Sequence, residues 1–129
     1  MIAFVGGFAY TLTIMGCIVH VDNSRFFRKM MKIFLAELGL ESLDFECGED
    51  ALFSLGGSKV SCLITGLELA DMTGEDLIRR MNLYGSSPMT VIAVTSSMDE
   101  RRVRALAALG VKAVIQKGGD WKEKLREYF

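Results

Sequence analysis

Strand-like apolar runs alternate with helix-like segments from residue 17 to the end of the chain. The strand-like runs are CIVHV, SLDFEC, VSCLIT, TVIAV and AVI, at 17–21, 42–47, 60–65, 90–94 and 113–115. Helical spacing of apolar residues follows at 25–38, 49–55, 74–84, 99–109 and 120–129. Strands joined by helices run parallel, because each crossover returns the chain to the same edge of the sheet. The sequence therefore predicts a doubly wound α/β fold, (βα)5, with helices on both faces of a five-stranded parallel sheet.

Capping residues support the helix boundaries. Ser24 and Asp120 are expected N-caps of the first and last helices, and Gly39 and Gly110 are expected stops. Gly56 with Gly57, and the run Gly85 to Pro88, predict the ends of the second and third helices. The second strand alternates as an edge-side strand would. The apolar face predicted for the first helix comprises Phe26, Met30, Ile33, Phe34 and Leu38.

Composition narrows the possible functions. The chain has 129 residues, 50% hydrophobic and 24% charged, with a formal net charge of -1, which is the profile of one globular domain. No basic excess marks a nucleic-acid-binding surface, so no nucleic-acid partner is expected. The three cysteines, Cys17, Cys47 and Cys62, form no CxxC pair and indicate small buried residues in a reducing cytoplasm.

The N-terminal segment 1–15 is apolar and uncharged. Because CIVHV is needed as the first strand, the remaining stretch is shorter than the ~20 residues of a membrane span. The segment also lacks the positively charged start of a signal peptide. Three interpretations stay open: an additional strand or helix covering the domain, a peripheral anchor, or an upstream extension with the native start at Met15.

Polar residues follow four of the predicted strands. Asp22 and Asn23 follow the first, Gly66 to Glu68 the third, Thr95 and Ser96 the fourth, and Gln116 and Lys117 the fifth. Ligand sites of doubly wound sheets lie beyond the carboxyl ends of the strands. These residues are therefore expected to converge on one small polar cavity.

These motifs, taken in order, resemble a known family. IVHVDNSRFFRKMM, CLITGLELADMTG, VIAVTSS and VIQKG resemble the CheY-like receiver domains of bacterial two-component response regulators, over residues 16–129. The resemblance implies a flavodoxin-like sheet of strand order 2-1-3-4-5. It also implies a cytoplasmic role in two-component or phosphorelay signal transduction.

The resemblance assigns roles to single positions. In active receivers two acidic residues after the first strand hold Mg²⁺; the matching positions here are Asp22 and Asn23, so the second carboxylate is replaced by an amide. The aspartate that accepts the phosphoryl group ends the third strand, where this chain has Gly66. The hydroxyl residue after the fourth strand is matched by Thr95 and the lysine after the fifth by Lys117.

The chemistry of phosphoryl transfer then predicts a degenerate receiver. Gly66 offers neither a carboxylate nucleophile nor a carboxylate ligand for a hard cation. We therefore expect a pseudo-receiver that is not an enzyme, with weak or no Mg²⁺ binding at Asp22 and Asn23. Glu68, two residues beyond Gly66, could reach the cavity mouth or pair with Lys117, but it is not expected to replace the phosphoacceptor.

Two further expectations concern charged groups near the site. The lone histidine, His20, lies inside the first strand and is expected to be packed and hydrogen-bonded rather than catalytic. Asp22 and Lys117 are expected to form an ion pair that fills the cavity with a hydrogen bond from Thr95. The alternative is that this pair fixes the domain in one of the two receiver conformations.

By resemblance, partners bind the face made by the fourth helix, fifth strand and fifth helix. It would include Arg101, Arg104, Ala105, Leu106, Lys112, Val114, Lys122 and Glu123. The cluster Arg101, Arg102 and Arg104 is either a solvated helix face or a docking patch for an acidic protein surface. The expected function is phosphorylation-independent binding of a signalling protein or of a second copy. Two alternatives remain: a small-ligand or nucleotide-binding domain that uses the vacated pocket, and a receiver phosphorylated at a non-standard residue.

Overall fold

The computed structural model describes residues 17–55, 59–84 and 89–129. Five strands alternate with five helices in this part of the chain. The strands are β1 (Cys17–Val21), β2 (Ser42–Phe45), β3 (Val60–Thr65), β4 (Thr90–Thr95) and β5 (Ala113–Gln116). The helices are α1 (Arg25–Glu37), α2 (Gly48–Leu55), α3 (Gly74–Tyr84), α4 (Glu100–Ala108) and α5 (Trp121–Arg126).

The strands form one parallel sheet in the order β2-β1-β3-β4-β5. This order and the (βα)5 alternation confirm the predicted fold. From β1, an interior strand, the chain adds β2 on one side and then crosses over β1 to add β3, β4 and β5 on the other. The reversal of direction between β1 and β3 creates a crevice at the carboxyl ends of the strands.

Two apolar layers cover the sheet. Buried side chains of α1 and α5, such as Phe34 and Leu125, pack on one face with Ile64 of β3. Buried side chains of α2, α3 and α4 pack on the other face with Leu63. Successive residues of β3 thus point into opposite layers, as the pleat requires. Core packing holds the strand ends, and therefore the crevice, in fixed positions.

The apolar face predicted for α1 is confirmed in part: Phe34 is buried and Met30 and Leu38 pack against the core, but Phe26 and Ile33 do not. The buried side chains are Phe27, Met31, Phe34 and Leu35, whereas Phe26 and Ile33 are 73% and 61% exposed. Apolar residues in this segment occur as adjacent pairs, such as Phe26 and Phe27. Two sets of positions, offset by one residue, therefore both have helical spacing. The Ser24 cap decides between them, since its hydroxyl accepts a hydrogen bond from the backbone N–H of Phe27 and sets where the helix begins.

Several boundaries also differ from the sequence predictions. β2 ends at Phe45 rather than Cys47, and α5 is shorter than predicted. Asp120 occupies the predicted N-cap position of α5, but its side chain makes no capping hydrogen bond. Gly39 and Gly110 do end their helices with positive φ, 78° and 94°. The stops at Gly56–Gly57 and Gly85–Pro88, and the segment 1–15, lie outside the described residues.

Within the three described ranges, no helix is long and apolar enough to cross a bilayer.

Candidate functional site

A small polar cavity lies at the carboxyl ends of β1, β3, β4 and β5. It has a volume of about 110 Å³. Eight of the nine residues predicted at the strand ends line it, and Val94 is the additional lining residue: Asp22, Asn23, Gly66, Leu67, Glu68, Thr95, Ser96 and Lys117. Gln116, the ninth, is not among the lining residues. The topology therefore brings together residues that lie up to 95 positions apart in the chain.

An ion pair between Asp22 and Lys117 occupies the floor of the cavity. The Lys117 Nζ atom lies 2.9 Å from Asp22 Oδ2 and donates a hydrogen bond to Oδ1 at 3.2 Å. The Asp22 side chain is 2% exposed and that of Lys117 is 24% exposed. This pair matches the interaction predicted from the sequence, and it satisfies a carboxylate that would otherwise be costly to bury.

Other groups hold the pair in place. Asp22 Oδ1 also accepts a hydrogen bond from the backbone N–H of Ser24, at 2.9 Å, and Arg28 donates to the Asp22 carbonyl oxygen at 2.8 Å. The Lys117 ammonium lies 4.3 Å from the centre of the Phe27 ring, which is a cation–π distance. Asp22 thus links the cavity to the start of α1, and Phe27 is a site residue that the sequence analysis missed.

Gly66 ends β3 directly beside this pair. Its backbone N–H donates to the carbonyl oxygen of Val21 at 2.8 Å, and its φ is not positive. The backbone at this position therefore accepts any L-residue. A Cβ atom added at Gly66 would lie 3.1 Å from Asp22 Oδ2. The carboxylate of Asp22 lies against the space that a side chain would fill, and it would have to shift by a few tenths of an ångström.

Thr95 does not take part in the ion pair. Its hydroxyl donates to the carbonyl oxygen of Ser97 at 3.0 Å and lies 3.3 Å from the Ser97 N–H that donates to it. The predicted hydrogen bond between Thr95 and the Asp22–Lys117 pair was therefore wrong. A hydroxyl two residues before a backbone N–H forms a local turn, and this local bond competes with longer-range partners.

Glu68 lines the cavity, and its carboxylate pairs with Arg102 of α4. The suggested pairing of Glu68 with Lys117 was wrong, since Lys117 is engaged with Asp22. Arg102 also makes two hydrogen bonds to Glu75 at the start of α3, at 2.7 and 2.9 Å. Arg102 is therefore neither a solvated residue nor part of a docking patch. The sequence signal that could have found this contact is the placement of Glu75 and Arg102 in the first turns of neighbouring helices.

His20 is buried beneath the site, with 1% of its surface exposed. Its ring contacts Phe27 edge to face, with 5.8 Å between ring centres. Neither ring nitrogen has a hydrogen-bond partner among the described residues, so the expected packing is present but the expected hydrogen bond is not. Desolvation lowers the His20 pKa to about 4, outweighing the nearby carboxylates Asp22 and Asp44, which raise it. His20 is therefore uncharged near neutral pH.

Comparison with known proteins decides the family. The sequence model of the response regulator receiver domain matches residues 18–128. This chain belongs to the receiver domain family. Receiver domains of this CheY-like type are the input-receiving modules of two-component signalling. A search of the curated proteins finds no match.

Solved structures of receivers have the same fold. A response regulator receiver protein from Pseudomonas putida is 23% identical, with a TM-score of 0.76, over 86% of this chain and 93% of that one. A two-component response regulator from Clostridium difficile is 15% identical, with a TM-score of 0.78, over 88% and 92% of the two chains. A CheY-like receiver from Methanospirillum hungatei JF-1 is 20% identical, with a TM-score of 0.77, over 88% and 90%.

The donor set of this receiver does not fit a magnesium ion. Two carboxylates line the cavity, and both are already paired: Asp22 with the Lys117 ammonium, and Glu68 with Arg102. Asn23 contributes a neutral amide, and the Gly66 carbonyl oxygen already accepts a hydrogen bond from Thr65. No group of three or more His, Cys, Asp or Glu side chains suited to a metal occurs in the described part of the chain. Mg²⁺ gains most from several anionic oxygens, and this set does not supply them.

The face formed by α4, β5 and α5 presents basic side chains. Arg101, Arg104, Lys112 and Lys122 are exposed, as are Ala105 and Glu123, and Val114 is half-buried. Leu106, which was expected on this face, is fully buried in the layer under α4. Arg104 lies 3.8 Å from Glu100 on the same helix, a surface pair of little energetic weight. The face is therefore accessible and carries an excess of positive charge.

Replacing Lys117 should show how strongly the buried Asp22 carboxylate destabilises the fold when it has no cationic partner. We expect Lys117→Met to lower the free energy of unfolding by about 3 kcal/mol, because a buried carboxylate loses its partner. The double variant Asp22→Asn/Lys117→Met should recover most of that loss, since the amide keeps an oxygen for Ser24. Urea unfolding measures both, with the exposed Lys112→Met as the control. Equal losses in the single and double variants would show that the pair does not balance the buried charge.

The buried His20 should make the domain sensitive to mild acid. Its pKa is about 4 in the folded state against 6.5 for a histidine exposed to water, so the unfolded chain gains a proton first as the pH falls. Stability at pH 7 should therefore exceed stability at pH 4 by about 3 kcal/mol from this residue alone. His20→Leu should remove that part of the pH dependence in chemical unfolding. An unchanged slope between pH 6.5 and 4 in the variant would refute the assignment.

Proposed function

We propose that this receiver does not accept a phosphoryl group and acts in two-component signalling as a phosphorylation-independent protein-interaction domain. The observation that carries the proposal is the bare strand end at Gly66, beside an Asp22 that is already neutralised by Lys117. Phosphoryl transfer to a receiver needs a carboxylate nucleophile and a metal to balance the charge on the phosphate. The strand end lacks the nucleophile and the donor set does not fit the metal, so we infer that this is not an enzyme site.

The remaining polar groups support this proposal. Thr95 bonds within its own loop, and Glu68 is held by Arg102 rather than directed into the cavity. A phosphoacceptor at Glu68 would have to break that ion pair and approach without a metal. The same contacts argue against phosphorylation at a non-standard carboxylate.

The size of the cavity argues against a small-ligand or nucleotide site. Pockets that bind such ligands usually enclose about 300 Å³ or more, whereas this cavity holds about 110 Å³. Its floor is filled by an ion pair, and the sequence has no glycine-rich phosphate loop after β1. The signalling interpretation therefore fits the geometry better.

The interaction surface that we propose is the α4–β5–α5 face. Its exposed residues Arg101, Arg104, Lys112 and Lys122 favour an acidic protein surface, because complementary charge speeds association and selects partners. The occupant is a signalling protein of the same pathway or a second copy of the chain, in the cytoplasm of a bacterium. No nucleic acid is expected to bind, given the formal net charge of -1.

A charge-reversal pair tests the proposed face. We expect Arg101→Glu/Arg104→Glu to weaken partner capture from the native cell, or self-association in sedimentation, by roughly tenfold or more at low salt. The matched control is Arg25→Glu/Lys29→Glu, which makes the same charge change at exposed positions of α1, on the opposite side of the sheet. Treatment with a phosphodonor should leave binding unchanged. Equal loss in both variants, or binding that requires the phosphodonor, would contradict the proposal.

A further inference from the structure

Arg102 joins three separate segments of the domain through one guanidinium group. From the first turn of α4 it makes a two-pronged contact with Glu75 of α3, Nε to Oε2 at 2.7 Å and Nη2 to Oε1 at 2.9 Å. Its Nη2 also donates to the carbonyl oxygen of Leu67 at 3.2 Å, and Nη1 pairs with Glu68. The planar fork of arginine suits such paired contacts with a carboxylate.

These contacts are more than a surface ion pair. The Arg102 and Glu75 side chains are 29% and 14% exposed, so water and salt screen their interaction less than that of a fully exposed pair. The hydrogen bonds from Arg102 hold the pKa of the Glu75 carboxyl below its usual range, and those to Glu75 raise the pKa of Arg102. Glu68 is 74% exposed and is expected to add less.

The backbone contact of Arg102 lies next to the vacated phosphoacceptor position. Leu67 directly follows Gly66, and its carbonyl oxygen also accepts the backbone N–H of Gly74 at 2.9 Å, where α3 begins. Arg102 therefore fastens α4 to the loop that leaves β3 and to the helix that follows it. Within the described residues, the side-chain hydrogen bonds that join α4 to that loop both come from Arg102.

We propose that Arg102 is a permanent latch that fixes the start of α4 against the loop after β3 through Glu75 and the Leu67 carbonyl. The latch would hold one arrangement of the α4–β5–α5 face without any phosphate in the cavity. The fixed arrangement of this face makes the proposed function more specific, and this consequence of the latch rests on the proposed function. The latch itself can be tested in the isolated chain without any partner.

Hydrogen exchange followed by mass spectrometry measures the latch directly. In Arg102→Gln we expect amide protection across 100–109 and 67–75 to fall by roughly tenfold or more, because several charge-assisted hydrogen bonds are lost. Protection in α1 and in the central strands should stay within about twofold of the wild type. The matched control is Arg101→Gln, the same change one residue earlier on the same helix, which should not alter protection in either segment.

A second pair of variants separates the latch from a general loss of stability. Glu75→Gln should show the pattern of Arg102→Gln in part, because Arg102 keeps its contacts with Leu67 and Glu68, and the double variant should lose no more protection than Arg102→Gln alone. The reversed pair Arg102→Glu/Glu75→Arg should restore part of the protection lost in Arg102→Glu. If Arg102→Gln proves too unstable to study, Arg102→Lys keeps the charge without the fork and should show the same local pattern more weakly.

Three outcomes would overturn the latch. One is unchanged protection of α4 in Arg102→Gln, and another is an equal loss of protection in α1 and α4. The third is additive losses from Arg102 and Glu75. None of these bears on phosphorylation, which is measured separately, so the latch and the proposed function can fail independently.

Discussion

The contact between the Lys117 ammonium and the Asp22 carboxylate is the interaction on which the site depends. It joins the ends of β1 and β5. A buried carboxylate requires a cation beside it, and a lysine takes this place where too few anionic ligands are present to hold a metal ion. The Asp22 carboxylate of this pair lies against the space that a side chain at Gly66 would fill, since an added Cβ would lie 3.1 Å from Oδ2. Phe27 contacts the Lys117 ammonium, and the backbone N–H of Ser24, just before α1, donates to the Asp22 carboxylate.

The neighbouring contacts follow from this arrangement. Gly66 has no side chain that Thr95 or Glu68 could contact. Thr95 hydrogen-bonds within its own loop, and Glu68 pairs with Arg102. Both side chains line the cavity, but neither is directed at a ligand in it. The latch that we propose, Arg102 with Glu75, would connect the loop after β3 to α4. It would hold one arrangement of the α4–β5–α5 face, which is the property that the proposed phosphorylation-independent interaction domain needs.

Much of this fold could be read from the sequence because apolar periodicity and glycine stops are local signals. The alternation of strands and helices predicts a parallel sheet. The convergence of Asp22 and Lys117 then follows, because the carboxyl ends of parallel strands lie at one edge of the sheet. The buried face of α1 could not be predicted, since Phe26 and Phe27 both lie at positions with helical spacing. The position of the capped helix start at Ser24 distinguishes the two. The partners of Thr95 and Glu68 could not be predicted, because Thr95 bonds locally to Ser97 whereas the longer Glu68 reaches Arg102 of α4. The contacts of Arg102 with Glu68 and Glu75 depend on how α4 packs against its neighbours.

The most direct test of the central claim is the intact mass of the wild-type chain after incubation with a small phosphodonor and Mg²⁺. The variant Asn23→Asp/Gly66→Asp, which supplies the two missing carboxylates, serves as the matched positive control. Our account predicts an unchanged mass for the wild type. A wild-type chain that gains one phosphoryl group would contradict it, whichever residue carries the group.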